Sequence, residues 1–290
     1  MKTIAMMNMK GGVGKTTLAF NLAYDAAHTG CFRVLMIDLD PQANLSQYAM
    51  GGTGYQRFLD GDGMSVLDVL RGQVSAREAH RKLECTTERD YTGGDPGPIL
   101  KRDEWDDGSY LHLIPARLEL AGLVKRGEID PEILESFVRG LHLHYDAVFV
   151  DCPPTDSLLT DITYHTVRQV IVPVRPEYLA TIGLPLLAGS IHGFNTENPR
   201  RKVEVGGIVF NGVRAGNVPS QQVRAMQDVR KIARKHGWHV FRQEVRYSDS
   251  FPAGSSFGTP IGLTHNVRTY VRKEFDKFYR QFEKRILKQP

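Results

Sequence analysis

The stretch Met9-Lys10-Gly11-Gly12-Val13-Gly14-Lys15-Thr16-Thr17, MKGGVGKTT, follows a short apolar run, TIAMMN from Thr3, and precedes a helical pattern. It therefore reads as the turn between a buried strand and a helix. Glycines at 11, 12 and 14 allow backbone N–H groups to turn inward around a phosphate, and the following helix adds its positive end. Lys15 is then placed to reach β and γ oxygens, and Thr16 to present a hydroxyl to Mg²⁺. The usual pattern, Gly-x-x-x-x-Gly-Lys-Ser/Thr, is intact from Gly14 onward. Its opening glycine is replaced by Met9, and a second lysine, Lys10, stands five residues ahead of Lys15.

Outward from this turn, short apolar, β-rich runs alternate with helical patterns: RVLMID from Arg33, LHLIP from Leu111, AVFVD from Ala147, QVIVPV from Gln169, VGGIVFN from Val205 and HVFRQEV from His239. Continuous apolar runs of this length are what a sheet covered on both faces demands. The predicted fold is α/β, one doubly wound, mostly parallel sheet with helices on both faces, in a single domain over residues 1–290. Ligands of such sheets bind at the carboxyl ends of the strands. The glycine turn, the aspartates of IDLDPQ and the aspartate of VDCPP each follow a strand and are expected at one edge. SVLDVLRG from Ser65 reads as a short helix, whereas the polar, Gly/Asp/Pro-rich stretch around 85–109 reads as a loop or surface insertion.

With 41 % hydrophobic and 24 % charged residues the chain has the composition of a globular protein rather than a disordered one. No apolar run approaches the roughly 18–20 residues that span a bilayer, and the N-terminus lacks an apolar stretch long enough for a signal peptide. A cytoplasmic location is expected. Cys31, Cys85 and Cys152 form no close-spaced pair, so neither a disulfide framework nor a zinc knuckle is encoded. The net charge of +4 conceals an asymmetry. Arg200 to Pro290 carries 19 Lys+Arg against 7 Asp+Glu, a balance of +12, and the preceding residues 18 against 26, a balance of −8. A polyanionic partner is expected at the basic end.

In KGGVGKTT the chain resembles the deviant Walker A family of P-loop ATPases, whose members include the ParA/Soj partition ATPases, MinD and the nitrogenase iron protein. The resemblance runs from Met1 to about Val271, with 85–109 fitting poorly. It implies ATP and Mg²⁺ as cofactors, bound by Lys10, Gly11, Gly12, Val13, Gly14, Lys15, Thr16 and Thr17. It also implies that Lys10 crosses the interface of an ATP-dependent homodimer to the phosphates of the other subunit, acting as an arginine finger does elsewhere. Asp38 and Asp40 stand two residues apart after one strand, a placement that also suits turn or cap residues. By resemblance Asp40 positions or deprotonates the attacking water and Asp38 supports the Mg²⁺ shell. YDAVFVDCPPT resembles the Walker B strand and its switch, with Asp151 holding Mg²⁺ through water and Cys152 a small buried residue. VPVRPEYLATIGLPLL and VRYSDSFPAGSSFGTPI resemble later landmarks of the ParA/Soj branch, and Asn211 falls where relatives contact adenine, although Asn-Gly is also a plain turn.

The basic tail, around 266–288, carries Val271, Phe275, Phe278, Phe282 and Ile286 at helical spacing, ringed by Arg272, Lys273, Lys277, Arg280, Lys284 and Arg285. Packing on the domain, insertion into a membrane surface and contact with DNA are the competing readings. The basic excess extends well beyond one helix, taking in Arg224, Arg230, Lys231, Arg234, Lys235, Arg242, Arg246 and Arg268, and favours packing combined with non-specific DNA binding. The expected activity is Mg-dependent ATP hydrolysis by a ParA-like, nucleoid-associated switch working with a ParB-like adaptor. A MinD-like membrane regulator is the alternative. Iron–sulfur redox transfer and tyrosine kinase activity are disfavoured, the first by the surroundings of Cys85 and Cys152, the second by the absence of a tyrosine-rich tail.

Overall fold

Strand register, more than any single contact, shows how the chain brings its aspartates together. The computed structural model describes residues 1–85, 107–127, 129–154, 157–255, 258–264 and 267–289. Most of the predicted insertion therefore lies outside the described residues. The chain runs β1 (Lys2–Met6), α1 (Lys15–His28), β2 (Arg33–Asp38), α2 (Asn44–Asp60), α3 (Val66–Leu70), α4 (Ala76–Cys85) and β3 (Tyr110–Ile114). It continues through α5 (Leu120–Arg126), α6 (Ile133–Gly140), β4 (Ala147–Asp151), α7 (Leu158–Thr166), β5 (Gln169–Val174), α8 (Ala180–Glu197) and β6 (Glu204–Val213). Last come α9 (Ser220–Lys235), β7 (Val245–Arg246), α10 (Ser250–Ser255) and α11 (Thr269–Phe282), extended by a π-helical turn over Glu283–Leu287.

All seven strands are parallel, in the order β3-β2-β4-β1-β5-β6-β7. Period-two alternation divides each strand between two cores. Ile4, Met6, Val34, Met36 and Phe149 pack with α1 and α11, whereas Ala5, Leu35, Ile37, Val148 and Val150 pack against the helices of the other face. Both faces are thus buried, which is why the strands read as unbroken apolar runs. β1 lies between β4 and β5, where the chain's winding reverses, and a crevice opens there at the strands' carboxyl ends. Met6, Asp38 and Asp151 are neighbours in register at that edge.

Two local expectations are refined. The helix predicted from Ser65 forms with a capping box, in which Asp68 accepts from the backbone N–H and the hydroxyl of Ser65 at 2.7 and 2.9 Å. The strand predicted from His239 is reduced to a bridge between Val240 and Ile208 and the two residues of β7. Its ladder is interrupted because the N–H groups of Arg242 and Gln243 donate to the Gln281 side chain at 3.0 and 3.3 Å. The tail packs by its apolar stripe: Val271, Phe275, Phe278, Phe282 and Ile286 are all buried. Arg272, Lys273, Lys277, Arg280 and Lys284 face outward, but Arg285 turns in and donates to the Gly206 carbonyl at 2.8 Å. No helix among the described residues is long and apolar enough to cross a membrane.

Candidate nucleotide site

The turn after β1 is held by its own backbone and by two distant side chains. Asn8 accepts from the N–H of Lys10 at 3.0 Å and donates to the Pro173 carbonyl at 2.7 Å, tying the loop's first half to the end of β5. Asn211, on β6, donates to the Val13 carbonyl at 2.8 Å. Gly14 sits directly above that amide with φ 91°, and a Cβ built there would lie 2.1 Å from Asn211 Nδ2. Only glycine meets both the left-handed backbone and the close approach. Gly14 is the N-cap of α1 and offers no capping side chain, and the helix's first turn contains no acid. Its leading N–H groups therefore face the crevice without a side-chain partner, as an anion site requires.

The crevice has a volume of about 740 Å³ and is lined by Gly11, Gly12, Gly14, Lys15, Thr16 and Thr17 on one side. Asp40, Gln42, Asn44 and Gln47 line another side, with Pro154, Phe251 and Pro252 completing the wall. Lys15 is buried, only 7 % exposed. The Thr16 hydroxyl donates to Asp151 Oδ2 at 2.6 Å, while the other carboxylate oxygen, Oδ1, is buried without a hydrogen-bond partner among the described residues. An unshared buried oxygen beside a threonine hydroxyl and a phosphate loop fits a hydrated divalent cation. Among the described residues no group of three or more His, Cys, Asp or Glu could hold a metal. A cation here would accordingly complete its shell with water and phosphate oxygens, as Mg²⁺ commonly does.

Asp38 and Asp40 have different surroundings. Fully buried Asp38 accepts from the Asp40 N–H at 3.1 Å, the Ser46 N–H at 2.8 Å and the Ser46 hydroxyl at 2.7 Å. The Ser46 oxygen in turn accepts from the Ala116 N–H at 2.9 Å. Asp38 thus fixes the loop that carries Asp40 and does not line the crevice. Asp40 does line it, with one oxygen accepting from the Gln42 N–H at 2.9 Å. Burial holds Asp38 above the usual carboxylate range against the hydrogen bonds from Ser46 and the Asp40 N–H, and burial followed by repulsion from Asp38 does the same for Asp151. A bound cation would reverse that push on Asp151. Burial, followed by the charge of Asp151, pushes the Cys152 thiol up to about 12, in keeping with a packing residue rather than a nucleophile.

Of the predicted residues, Lys10, Val13, Asp38, Asp151 and Asn211 are not part of the crevice wall. The Lys10 ammonium pairs with the Glu177 carboxylate just ahead of α8, and neither Lys10 nor Asn211 lines the crevice. The Asn211 amide supports the loop from below. Sequence reasoning gave no role to Ser46, and it took in Glu177 and Phe251 only as members of the landmark stretches that begin at Val172 and Val245. Ser46 lies in the first turn of α2, at the end of the stretch that carries Asp38 and Asp40. Glu177 is 167 residues from its lysine, a pairing only the fold creates. Phe251 is held by a network in which Asn21 bridges the Thr17 carbonyl and the Ile261 N–H, at 2.8 and 2.6 Å, and Tyr48 donates to the Phe251 carbonyl at 3.1 Å.

With this geometry the chain is similar to known nucleotide-binding proteins. Residues 4–261 match the family model described as the CobQ/CobB/MinD/ParA nucleotide binding domain. The chromosome partitioning protein ParA of Caulobacter vibrioides is 31 % identical over 276 residues, covering 91 % of this chain and 87 % of its own. The chromosome-partitioning ATPase Soj of Treponema pallidum is 28 % identical over 97 % of this chain and 96 % of its own. Among solved structures, the ATP complex of a Cyanothece McdA variant shares the fold with a TM-score of 0.73 at 16 % identity, covering 97 % of this chain and 95 % of that one. The chain belongs to the CobQ/CobB/MinD/ParA nucleotide-binding family, on its ParA/Soj side.

Proposed function

We propose that the protein is an ATP-driven switch of the partition type, which dimerises on ATP, binds DNA without sequence preference and resets by slow Mg²⁺-dependent hydrolysis. The observation that carries this reading is a formed phosphate crevice with a second cation, Lys10, at its rim but outside its own lining. A lysine so placed has no phosphate of its own subunit to serve and suits one presented by a second copy. Tyr178, Leu179, Ile182 and Leu186, between 50 and 78 % exposed, follow Glu177 and would give that copy an apolar surface.

In the bound state the N–H groups of the loop and of the first turn of α1 cradle the phosphates, and the buried Lys15 ammonium sits against the β and γ oxygens. Thr16 and Asp151 would hold Mg²⁺, which supplies charge neutralisation between the phosphates. Asp40 orients the attacking water, kept in place by the hydrogen bonds that Asp38 and Gln42 give its loop. Lys10, released from Glu177, stabilises charge on the partner's nucleotide. Asn211 acts by holding Val13 and Gly14 in their binding conformation. The burial of the tail's apolar face favours DNA over a membrane as the partner of its basic face, since a membrane helix needs that face free. An adaptor of the ParB kind would then stimulate turnover and couple it to a cargo.

The test is binding to two unrelated DNA duplexes without nucleotide and with ADP, ATP or a slowly hydrolysed ATP analogue, over a salt series. Binding that requires ATP or the analogue, ignores sequence and falls steeply with salt is the expected result. Equal binding in every nucleotide state, or none in any, would refute the switch.

A further inference from the structure

The cations of the basic third do not all face one way, and three arginines converge where α9 ends. α9 connects parallel strands β6 and β7, so its end lies towards the opposite edge of the sheet from the phosphate loop. It closes in a Schellman turn. Trp238 N–H donates to the Ala233 carbonyl at 2.8 Å and Gly237 N–H to the Arg234 carbonyl at 3.3 Å, with Gly237 left-handed at φ 68°. The helix's last carbonyls are thereby occupied, and the turn fixes Trp238 half-buried against the core, stacked on exposed His236 at 4.8 Å. The chain then passes through Val240, bridged to Ile208, and the buried Phe241, which gives the region a rigid floor.

These residues enclose a solvent-open cleft of about 620 Å³ lined by Arg230, Arg234, Trp238, His239 and Arg242, and by no acidic residue. Arg230 leans on Glu244 at 3.4 Å. The Arg234 and Arg242 guanidinium groups, both on exposed residues, have no hydrogen-bond or ion-pair partner among the described residues. Burial, then Arg285 and Arg242, holds His239 below its ordinary range. Unpaired arginines beside an aromatic wall match a phosphate attached to a planar ring. In duplex DNA the base faces are already stacked, whereas a single strand offers them freely. The open form of the cleft suits a strand passing through more than a small molecule enclosed.

We propose that this cleft seats a nucleotide of single-stranded DNA, with the phosphate on Arg234 and Arg242 and the base against Trp238. The choice of DNA rests on the reading given under Proposed function, but the seat is separate from the nucleotide crevice and needs no second copy. Exposed Lys231 and Lys235 on the same helix would continue the path of the phosphates.

The experiment uses the full chain with a labelled oligo-dT strand and a labelled duplex of equal length, each over a salt series and with and without ATP. Trp238→Leu is expected to weaken strand binding about five-fold or more while the duplex changes by less than about two-fold. Arg234→Gln with Arg242→Gln should lower the salt slope for the strand by about 0.7, the contribution of the one phosphate the two arginines share. Trp238→Phe should restore most of the strand affinity, which separates stacking from a folding defect. In NMR titrations the strand should move the His239 midpoint upward, because an anion offsets the two arginines. Strand binding indifferent to both sets of changes, equal losses on strand and duplex with Trp238→Leu, or 5′-dTMP binding as tightly as the strand would each overturn the proposal. ATP-independent duplex binding by the unmutated protein would sink the switch alone. ATP-dependent duplex binding with a strand response indifferent to the variants would sink the seat alone.

Discussion

Replacing Gly14 by alanine tests whether the phosphate loop owes its shape to Asn211. Two effects combine in this substitution. Holding a Cβ-bearing residue in the left-handed region costs about 1–2 kcal/mol. The new Cβ would also lie 2.1 Å from Asn211 Nδ2, so the amide must withdraw and leave the Val13 carbonyl unpaired, at about 1–3 kcal/mol. Together these amount to about 2–5 kcal/mol charged against the binding conformation, or roughly 30-fold to several-thousand-fold in nucleotide affinity. Asn211→Ala alone loses only the hydrogen bond, about 5- to 150-fold. In the double variant the bond is already gone, so Gly14→Ala adds only its backbone effect, and the two changes fall short of additivity by about 1–3 kcal/mol. Fluorescence titration of a labelled, slowly hydrolysed ATP analogue into the four proteins measures the cycle directly. Additivity within about 0.5 kcal/mol would show that Asn211 does not hold the loop.

Further perturbations separate the roles assigned above. Lys10→Ala is expected to abolish ATP-dependent dimerisation in light-scattering chromatography while the monomer still binds nucleotide; an unchanged dimer would remove Lys10 from the interface. Asp40→Ala should trap the ATP-bound dimer and slow phosphate release by about 100-fold or more, and normal release would deny it the water-positioning role. Burial first, then the charge of Asp276 on α11, pushes Asp25, on α1, up to about 7 from 3.8. The folded state therefore binds the extra proton, and stability falls as the pH rises from about 4 to about 7. Asp25→Asn should remove that slope and raise stability at pH 8 by about 2–4 kcal/mol, with little effect at pH 4; parallel urea-unfolding profiles for the two proteins would contradict this.

Much of the nucleotide crevice could be read along the chain because its parts are local. The phosphate loop needs left-handed glycines, a following helix and a lysine within one turn, and all fall inside Met9–Thr17. The strands that carry Asp38 and Asp151 are marked by apolar runs, since a sheet buried on both faces leaves no polar position within them. The apolar stripe of the tail was equally legible, because its spacing of three and four residues has one physical use on a helix. The second edge strand was not: the amides of Arg242 and Gln243 turn to Gln281, about forty residues away, and no propensity encodes that competition.

Tertiary structure alone decided what each polar group faces. Asp38 and Asp40 are equivalent as a sequence pattern, yet one is closed in by Ser46 and the Asp40 backbone while the other lines the crevice. Asn211 reads as a turn residue or a base contact until β6 brings it beneath Val13. The pairing of Lys10 with Glu177, and the gathering of Arg230, Arg234 and Arg242 around one cleft, likewise depend on which elements the sheet order makes neighbours. Backbone conformation and burial periodicity are properties of a few adjacent residues, so the sequence by itself determines them. Hydrogen-bond partners and the field at a charged group come from residues far apart in the chain, and they acquire values only when the strands are laid side by side.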